Sequence, residues 1–422
     1  MKILTISFTN HTARYLHYLE EQIVKLNSDT SFVRCSVYPS SHLYYAGQKL
    51  EDAELYNLGS LKVLSSNTKL NVGAYHEKVL KILRLEKYIE KLENEEKIIG
   101  GFIENVFNSG IDKVILIGDS RLPVEVTMKY ASMRGKDILY IEQAPFNKMI
   151  FDFQGVNRNI SFCYSGSEAD DLPVFLKTKF SNYWHTQNTL VKYKGLLYDW
   201  YYLYGFSGVA YLIGKSSLFR DMFMRIKSRI ISPTRLSDLN LKRKVVFLPM
   251  QMPVDVQSVY HSFESGGSES LALKLLEDIP EDVTLLIKEH PNWSGKHTRC
   301  FYKKVASTEN CHIVQGLNIK ECFDCADIIL TVNSTVGIEA LNYGKQVFLT
   351  GDAYYRYDSV VHGLGENCSW KSILEAIENP KSRRKISGFL FELNEYLVNG
   401  HYMSESLTLS KKLEQKINHF LR

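Results

Sequence analysis

A surplus of charge of one sign is what this sequence most lacks: 51 Lys+Arg stand against 47 Asp+Glu over 422 residues, a formal balance of +4. So small an excess excludes a protein whose main business is coating nucleic acid, which needs a strongly basic face. Cysteine is sparse as well. The seven thiols (Cys35, Cys163, Cys300, Cys311, Cys322, Cys325, Cys368) are odd in number and scattered. That excludes a disulfide scaffold and predicts a reducing, cytoplasmic compartment. With 10 Pro and 25 Gly the chain is neither collagenous nor of low complexity. Long apolar runs are missing too. The best candidate, 196–213, is interrupted by Asp199, Gly205 and Gly208, whereas a spanning helix needs about 20 predominantly apolar residues. The N-terminus has neither the longer apolar core nor the small-residue cleavage site of a signal peptide, and reads as a first buried strand.

What is present is 45% hydrophobic, the composition of a folded chain, and its length suits two α/β domains. Apolar runs at 2–8, 31–38, 113–117 and 137–141 alternate with helical spacing at 12–26, 76–108 and 124–133, the long one punctuated by Gly100-Gly101. The second half repeats the theme, with strands expected at 244–249, 283–287, 312–314, 328–332 and 346–349 and helices between them. Such alternation predicts parallel sheets covered by helices. The expected organisation is a Rossmann-like domain at 1–165, an aromatic and basic linker at 166–240, a second Rossmann-like domain at 241–375 and C-terminal helices at 376–422.

Four segments carry candidate chemistry. In Lys288-Glu289-His290-Pro291 the proline stops a strand, and residues two apart on a strand share a face. Lys288 and His290 are therefore expected together at the ligand end of the sheet, suited to a phosphate, or else as a buried histidine beside a surface lysine. Asn333-Ser334-Thr335 follows the strand at 328–332 and opens a helix bearing Glu339; free N–H groups at such a turn attract an anion, although every fold of this kind has ordinary caps. The strand at 244–249 leads to Gln251, with Asp255 in the loop beyond, a carboxylate fit for a nucleophile, a base or a plain helix cap. In the first half a strand is expected to end at Glu142, after Gly118-Asp119-Ser120-Arg121. Paired carboxylates are the machinery of retaining glycosyl transfer.

Other patterns fail. Gly214-Lys215-Ser216 lacks the first P-loop glycine, Val209 standing in its place. Cys322 and Cys325 have no second pair at zinc spacing. No Asp-x-Asp occurs, so charge neutralisation falls to Lys, His and helix N-termini. Neither metal nor cofactor is expected.

Taken in order, these segments resemble the capsule-polysaccharide-synthesis family, whose best understood members are retaining β-Kdo transferases of the GT-B fold. Its patterns are matched by Gln251 with Asp255, by Lys288, His290 and Pro291, by Ser334, Gly337, Glu339, Ala340, Leu341, Gly344 and Lys345, and by Gly351 with Tyr354. The resemblance covers about 245–355 well and the first domain loosely. It implies an α/β GT-B fold, two Rossmann-like domains facing across a cleft, and transfer of Kdo from CMP-Kdo to a surface glycan such as capsule or O-antigen. It further implies Asp255 as nucleophile and Glu142 as acid/base. Gln251, Lys288, His290, Asn333, Ser334, Thr335 and Glu339 would line the nucleotide-sugar site, and Arg121 is a guess for the Kdo carboxylate.

Two related enzymes share these features, a CMP-sialic acid sialyltransferase and a CDP-glycerol glycerophosphotransferase. A non-catalytic glycan- or nucleotide-binding component of polysaccharide export is the third reading. The Tyr/Trp-rich run at 183–211 adjoins a basic segment at 215–244, nine Lys/Arg against two Asp. Together they suit an anionic or lipid-linked acceptor at the inner face of the membrane, or else a buried aromatic subdomain.

Overall fold

A computed structural model of the chain describes residues 1–48, 54–57, 66, 68, 70–173, 236–263, 266–363, 368–404 and 406–422. The aromatic run at 183–211 and most of the basic segment lie outside the described residues. The strands are β1 Lys2–Ser7, β2 Ser31–Ser36, β3 Glu54–Asn57, β4 Lys113–Ile117, β5 Asp137–Ala144, β6 Lys148–Asp152, β7 Lys244–Pro249, β8 Val283–Lys288, β9 Cys311–Ile313, β10 Ile328–Thr331, β11 Gln346–Leu349 and β12 Val398–Asn399. They belong to two units. The first contains Met1–Ser161 and the segment Tyr396–Arg422; the second takes in 162–173 and 236–395.

In the first unit seven strands form one sheet in the order β12-β6-β5-β4-β1-β2-β3. The five from β5 to β3 are parallel, and β6 and β12 are antiparallel additions. Central strands such as β1 and β4 are buried on both faces, which is why they read as continuous apolar runs rather than alternations. One face packs on Phe102, Ile103 and Val106, the other on Leu16, Leu19 and Ile23 of the helix Asn10–Leu26. Apolar residues three and four apart give that helix its buried stripe.

Two expectations need correction. The helical pattern at 76–108 is two helices, Ala74–Ile82 and Ile89–Asn108, and the break is not at Gly100-Gly101. Arg84 adopts a left-handed φ of 58° and a short 3-10 turn, Glu86–Tyr88, follows it. Gly100 stays helical and buried, where an added Cβ would lie 3.5 Å from Ser66. The strand expected to end at Glu142 runs on to Ala144 and turns back into β6. Phe146 and Asn147 both take left-handed φ values, 62° and 55°, which closes a hairpin.

The second unit has the all-parallel order β11-β10-β7-β8-β9. The chain builds outward from β7 through β8 to β9, then crosses back to lay β10 on the other side of β7. Beyond the carboxyl ends of β7 and β10 lies the switch point at which such sheets receive ligands. In the first unit β1 and β4 stand in the same relation. The C-terminal helices are shared: Trp370–Glu378 lies in the second unit, while Lys411–Leu421 buries Leu413, Ile417 and Phe420 in the first. Among the described residues no helix is long and apolar enough to cross a membrane.

Candidate functional site

At the switch point of the second unit, Gln251 and Asn333 meet. Gln251 Nε2 donates to Asn333 Oδ1 at 2.9 Å, and the Asn333 N–H donates to Gln251 Oε1 at 3.2 Å. The Gln251 N–H reaches Ser268 Oγ at 3.1 Å, and Asn333 Nδ2 reaches the Gln257 carbonyl at 2.9 Å. Both side chains are buried, so these bonds satisfy groups that burial would otherwise leave costly. The pair ties together the segments that follow β7 and β10.

Asp255 caps the helix Val256–Tyr260, its Oδ1 accepting from the Gln257 N–H at 2.9 Å. The cap function anticipated for it is therefore present. The same carboxylate acts on His290, which follows β8. Burial holds the His290 pKa below its usual value; Asp255 pulls it up and Lys296 pushes it further down. Lys288 Nζ donates to the Leu317 carbonyl, beyond β9, at 2.5 Å. The strand ends at Lys288, so the alternation expected to align Lys288 with His290 stops before His290 is reached.

The turn after β10 explains most of the run from Ser334 to Lys345. Ser334 Oγ accepts from the Val336 N–H at 3.3 Å, while Thr335 is exposed at the start of the helix Val336–Asn342. A Cβ on Gly337 would lie 2.6 Å from the Tyr355 hydroxyl, which donates to the Ser334 carbonyl at 2.5 Å. Ala340 and Leu341 are core residues. Gly344 ends the helix at φ +86°, and Lys345 Nζ donates to the Ala326 carbonyl at 2.9 Å. A Cβ on Gly351 would lie 2.7 Å from the His261 carbonyl and 2.8 Å from that of Val332. Glu339 stands apart as an acid on this helix. Burial pushes its carboxyl up to about 7, and its charge acts on the buried Tyr354 hydroxyl.

A polar belt around the His290 loop escaped the sequence reading. Glu289, 7% exposed, accepts from Ser294 Oγ at 2.9 Å, from the Gly295 N–H at 3.1 Å and from the Tyr302 hydroxyl. Glu269 accepts from His297 Nδ1 at 2.8 Å and from Thr298 Oγ1 at 2.5 Å. The available signal was an acid directly before His-Pro, a position where a strand leaving the core seldom buries charge without partners.

In the first unit, Glu142 lies one step past Ile141, the last residue of β5 paired with β4. Its Oε1 accepts from the Gln143 N–H at 2.9 Å and faces the Tyr402 hydroxyl at 3.5 Å, which also reaches the Ile141 carbonyl at 3.2 Å. Arg121 is exposed and its guanidinium lies 5.0 Å from the Phe8 ring centroid, bridging the segments that follow β1 and β4. Both Glu142 and Arg121 act on half-buried Tyr402. Asp255 and Glu142 thus belong to different units. Among the described residues no group of three or more His, Cys, Asp or Glu is placed to hold a metal ion.

Two Rossmann-like units, with a ligand-end site on the second and a C-terminal segment returning to the first, define a GT-B-type α/β protein. The chain belongs to the capsule polysaccharide biosynthesis protein family, whose model matches residues 174–386, and that family is glycosyltransferase-like. Its sequence is similar to that of Protein FixF from Sinorhizobium fredii (strain NBRC 101917 / NGR234), with 29% identity over 200 residues covering 43% of this chain and 47% of FixF. The match thus spans about half the length of that relative. Among solved structures it is similar to the Thermosulfurimonas dismutans KpsC beta Kdo 2,7 transferase, with 16% identity, 68% of this chain and 79% of that chain covered and a TM-score of 0.35. It is likewise similar to UDP-GlcNAc 2-epimerase from Neisseria meningitidis, with 14% identity, 100% and 99% coverage and a TM-score of 0.35.

Proposed function

We propose that the protein is a retaining glycosyltransferase that moves Kdo from CMP-Kdo to a surface-glycan acceptor. The observation that carries the reading is the Asp255 carboxylate acting on His290 beside the switch point, within the stretch that matches the family. Asp255 attacks the anomeric carbon and forms a glycosyl ester as the bond to the CMP phosphate breaks. CMP leaves as a phosphate monoester, so its departure needs a donor for the phosphate oxygen more than a proton. His290 supplies that donor, with Lys288 adding positive charge and Ser334 and Thr335 offering hydroxyls. Glu339 accepts from the ribose hydroxyls.

In the second displacement Glu142 takes the proton of the acceptor hydroxyl, whose oxygen displaces Asp255. Two inversions give net retention. Arg121 offsets the charge of the Kdo carboxylate. The protein acts in the cytoplasm under this reading, and a lipid-linked acceptor would be held from the 183–244 segment at the inner membrane face.

Intact-protein mass after exposure to CMP-Kdo, with and without Glu142→Gln, tests the mechanism. One added Kdo mapping to Asp255 is expected, and it accumulates in the variant. No adduct together with full activity in Asp255→Asn would overturn it. Parallel incubations with CMP-sialic acid and CDP-glycerol decide the donor.

A further inference from the structure

We infer that Glu289 is a positioning residue that holds His290 as its Nε2–H tautomer, so that the ring offers an anion a hydrogen-bond donor without carrying charge. The inference deepens the proposed donor site, on which it rests for the identity of the anion.

The tautomer follows from one contact. His290 Nδ1 faces the backbone N–H of Asn292 at 3.1 Å. A backbone amide only donates, so Nδ1 is the acceptor and the single proton of a neutral ring is on Nε2. The turn is closed by the Trp293 N–H, which donates to the His290 carbonyl at 2.8 Å. A protonated ring would place an Nδ1–H against the Asn292 N–H, donor to donor. The neutral state also suits the neighbour. An imidazolium would draw the Asp255 carboxylate into an ion pair, which a neutral Nε2–H ring does not.

The turn is held from its base by Glu289. The carboxylate collects Ser294, Gly295 and Tyr302 around itself, and Gly295 can present its N–H because it adopts a φ of +74°. Glu269 fastens the far end through His297 and Thr298. His290, Pro291, Asn292 and Trp293 lie between the strand end and this belt, and the position of the Asn292 N–H is set by it. The other charged groups acting on His290 are Asp255, at the cap of Val256–Tyr260, and Lys296, from the loop itself. Lys296 is turned to the Asn292 carbonyl, 2.7 Å from its Nζ.

The test uses the full chain with nitrogen-15 histidine, His290 being assigned by its loss in His290→Gln. Ring-nitrogen shifts near neutral pH should report Nε2–H alone. Glu289→Gln and Tyr302→Phe should each give a mixture of tautomers and weaken binding of CMP about tenfold, with cooperative thermal unfolding retained. Tyr302→Phe deletes one donor only and keeps the test decisive if Glu289→Gln does not fold. Because a Gln amide aligns with Nε2 and an Asn amide with Nδ1, His290→Gln should bind CMP within about threefold of wild type and His290→Asn about tenfold more weakly. An Nδ1–H ring in wild type, a single unchanged tautomer in both positioning variants, or equal losses for Gln and Asn would each overturn the inference. If wild type binds no CMP, the proposed function fails, while the tautomer readings still decide this one.

Discussion

Gln251 and Asn333 close a two-way amide bridge, side chain to side chain at 2.9 Å and backbone to side chain at 3.2 Å. It joins the ends of β7 and β10, the two strands between which the chain reverses direction across its sheet. The ligand end of that sheet is thereby fixed before any ligand arrives. Breaking one side leaves a buried amide group unpaired, so Gln251→Ala and Asn333→Ala should each lower stability by about 1–3 kcal/mol. Because the two share partners, the double variant should cost less than the sum. Urea unfolding of the four chains checks this, and strict additivity would show the bridge to be incidental.

Gly337 is explained by Tyr355 rather than by backbone freedom. A methyl group there would lie 2.6 Å from the tyrosine hydroxyl, and Tyr355 is fully buried, with little room to retreat. Gly337→Ala should therefore destabilise by roughly 1–3 kcal/mol through overpacking. Tyr355→Phe should recover part of that loss in the Gly337→Ala background, although alone it leaves the Ser334 carbonyl short of a donor. Denaturant midpoints measured on both singles and the double decide it.

These two cases show where the sequence was legible. Apolar runs in β7 and β11 were readable to the residue because their strands are buried on both faces. The helix Ile319–Cys325 lies between β9 and β10, where a helix was expected, and Asn318 and Glu321 form its capping box. β3 and β6 were missed; β6 is an antiparallel hairpin strand whose turn contains Phe146, a residue that gives no warning of a positive φ. In the site, Asp255 and His290 stood out as reactive types at strand ends. Glu289 and Tyr402 did not, since their roles depend on partners remote in sequence, such as Tyr302 for the first and Ile141 for the second.

Glu339 should report its burial as a pH dependence. Its folded pKa is raised from 4.5 to about 7, so the folded state binds the proton more tightly than the unfolded chain does. The stability it contributes is fully present below about 4.5 and is lost as pH rises through about 7. Glu339→Gln removes this dependence and should be the more stable chain at alkaline pH, by at most on the order of 3 kcal/mol. The difference between the two stability curves cancels every other titrating group. In the proposed donor site the ionised form binds ribose, so the CMP affinity of wild type relative to the variant should rise through the same window, the titration of the CMP phosphate being common to both. Parallel stability curves would show that Glu339 titrates in its ordinary range.

Asp255 has a structural duty that must be separated from a chemical one. As cap of Val256–Tyr260 it satisfies the Gln257 N–H, and removing a cap typically costs about 1 kcal/mol. Asparagine caps a helix about as well as aspartate does, but its amide is no nucleophile. Asp255→Asn should therefore keep stability within about 0.5 kcal/mol of wild type, while Asp255→Ala loses about 1 kcal/mol. Both should abolish transfer from CMP-Kdo under the proposed mechanism. If Asp255→Asn retains wild-type transfer while Asp255→Ala is impaired only as far as it is destabilised, the carboxylate serves as a cap and the nucleophile lies elsewhere. Unfolding curves and initial rates on the same preparations separate the two.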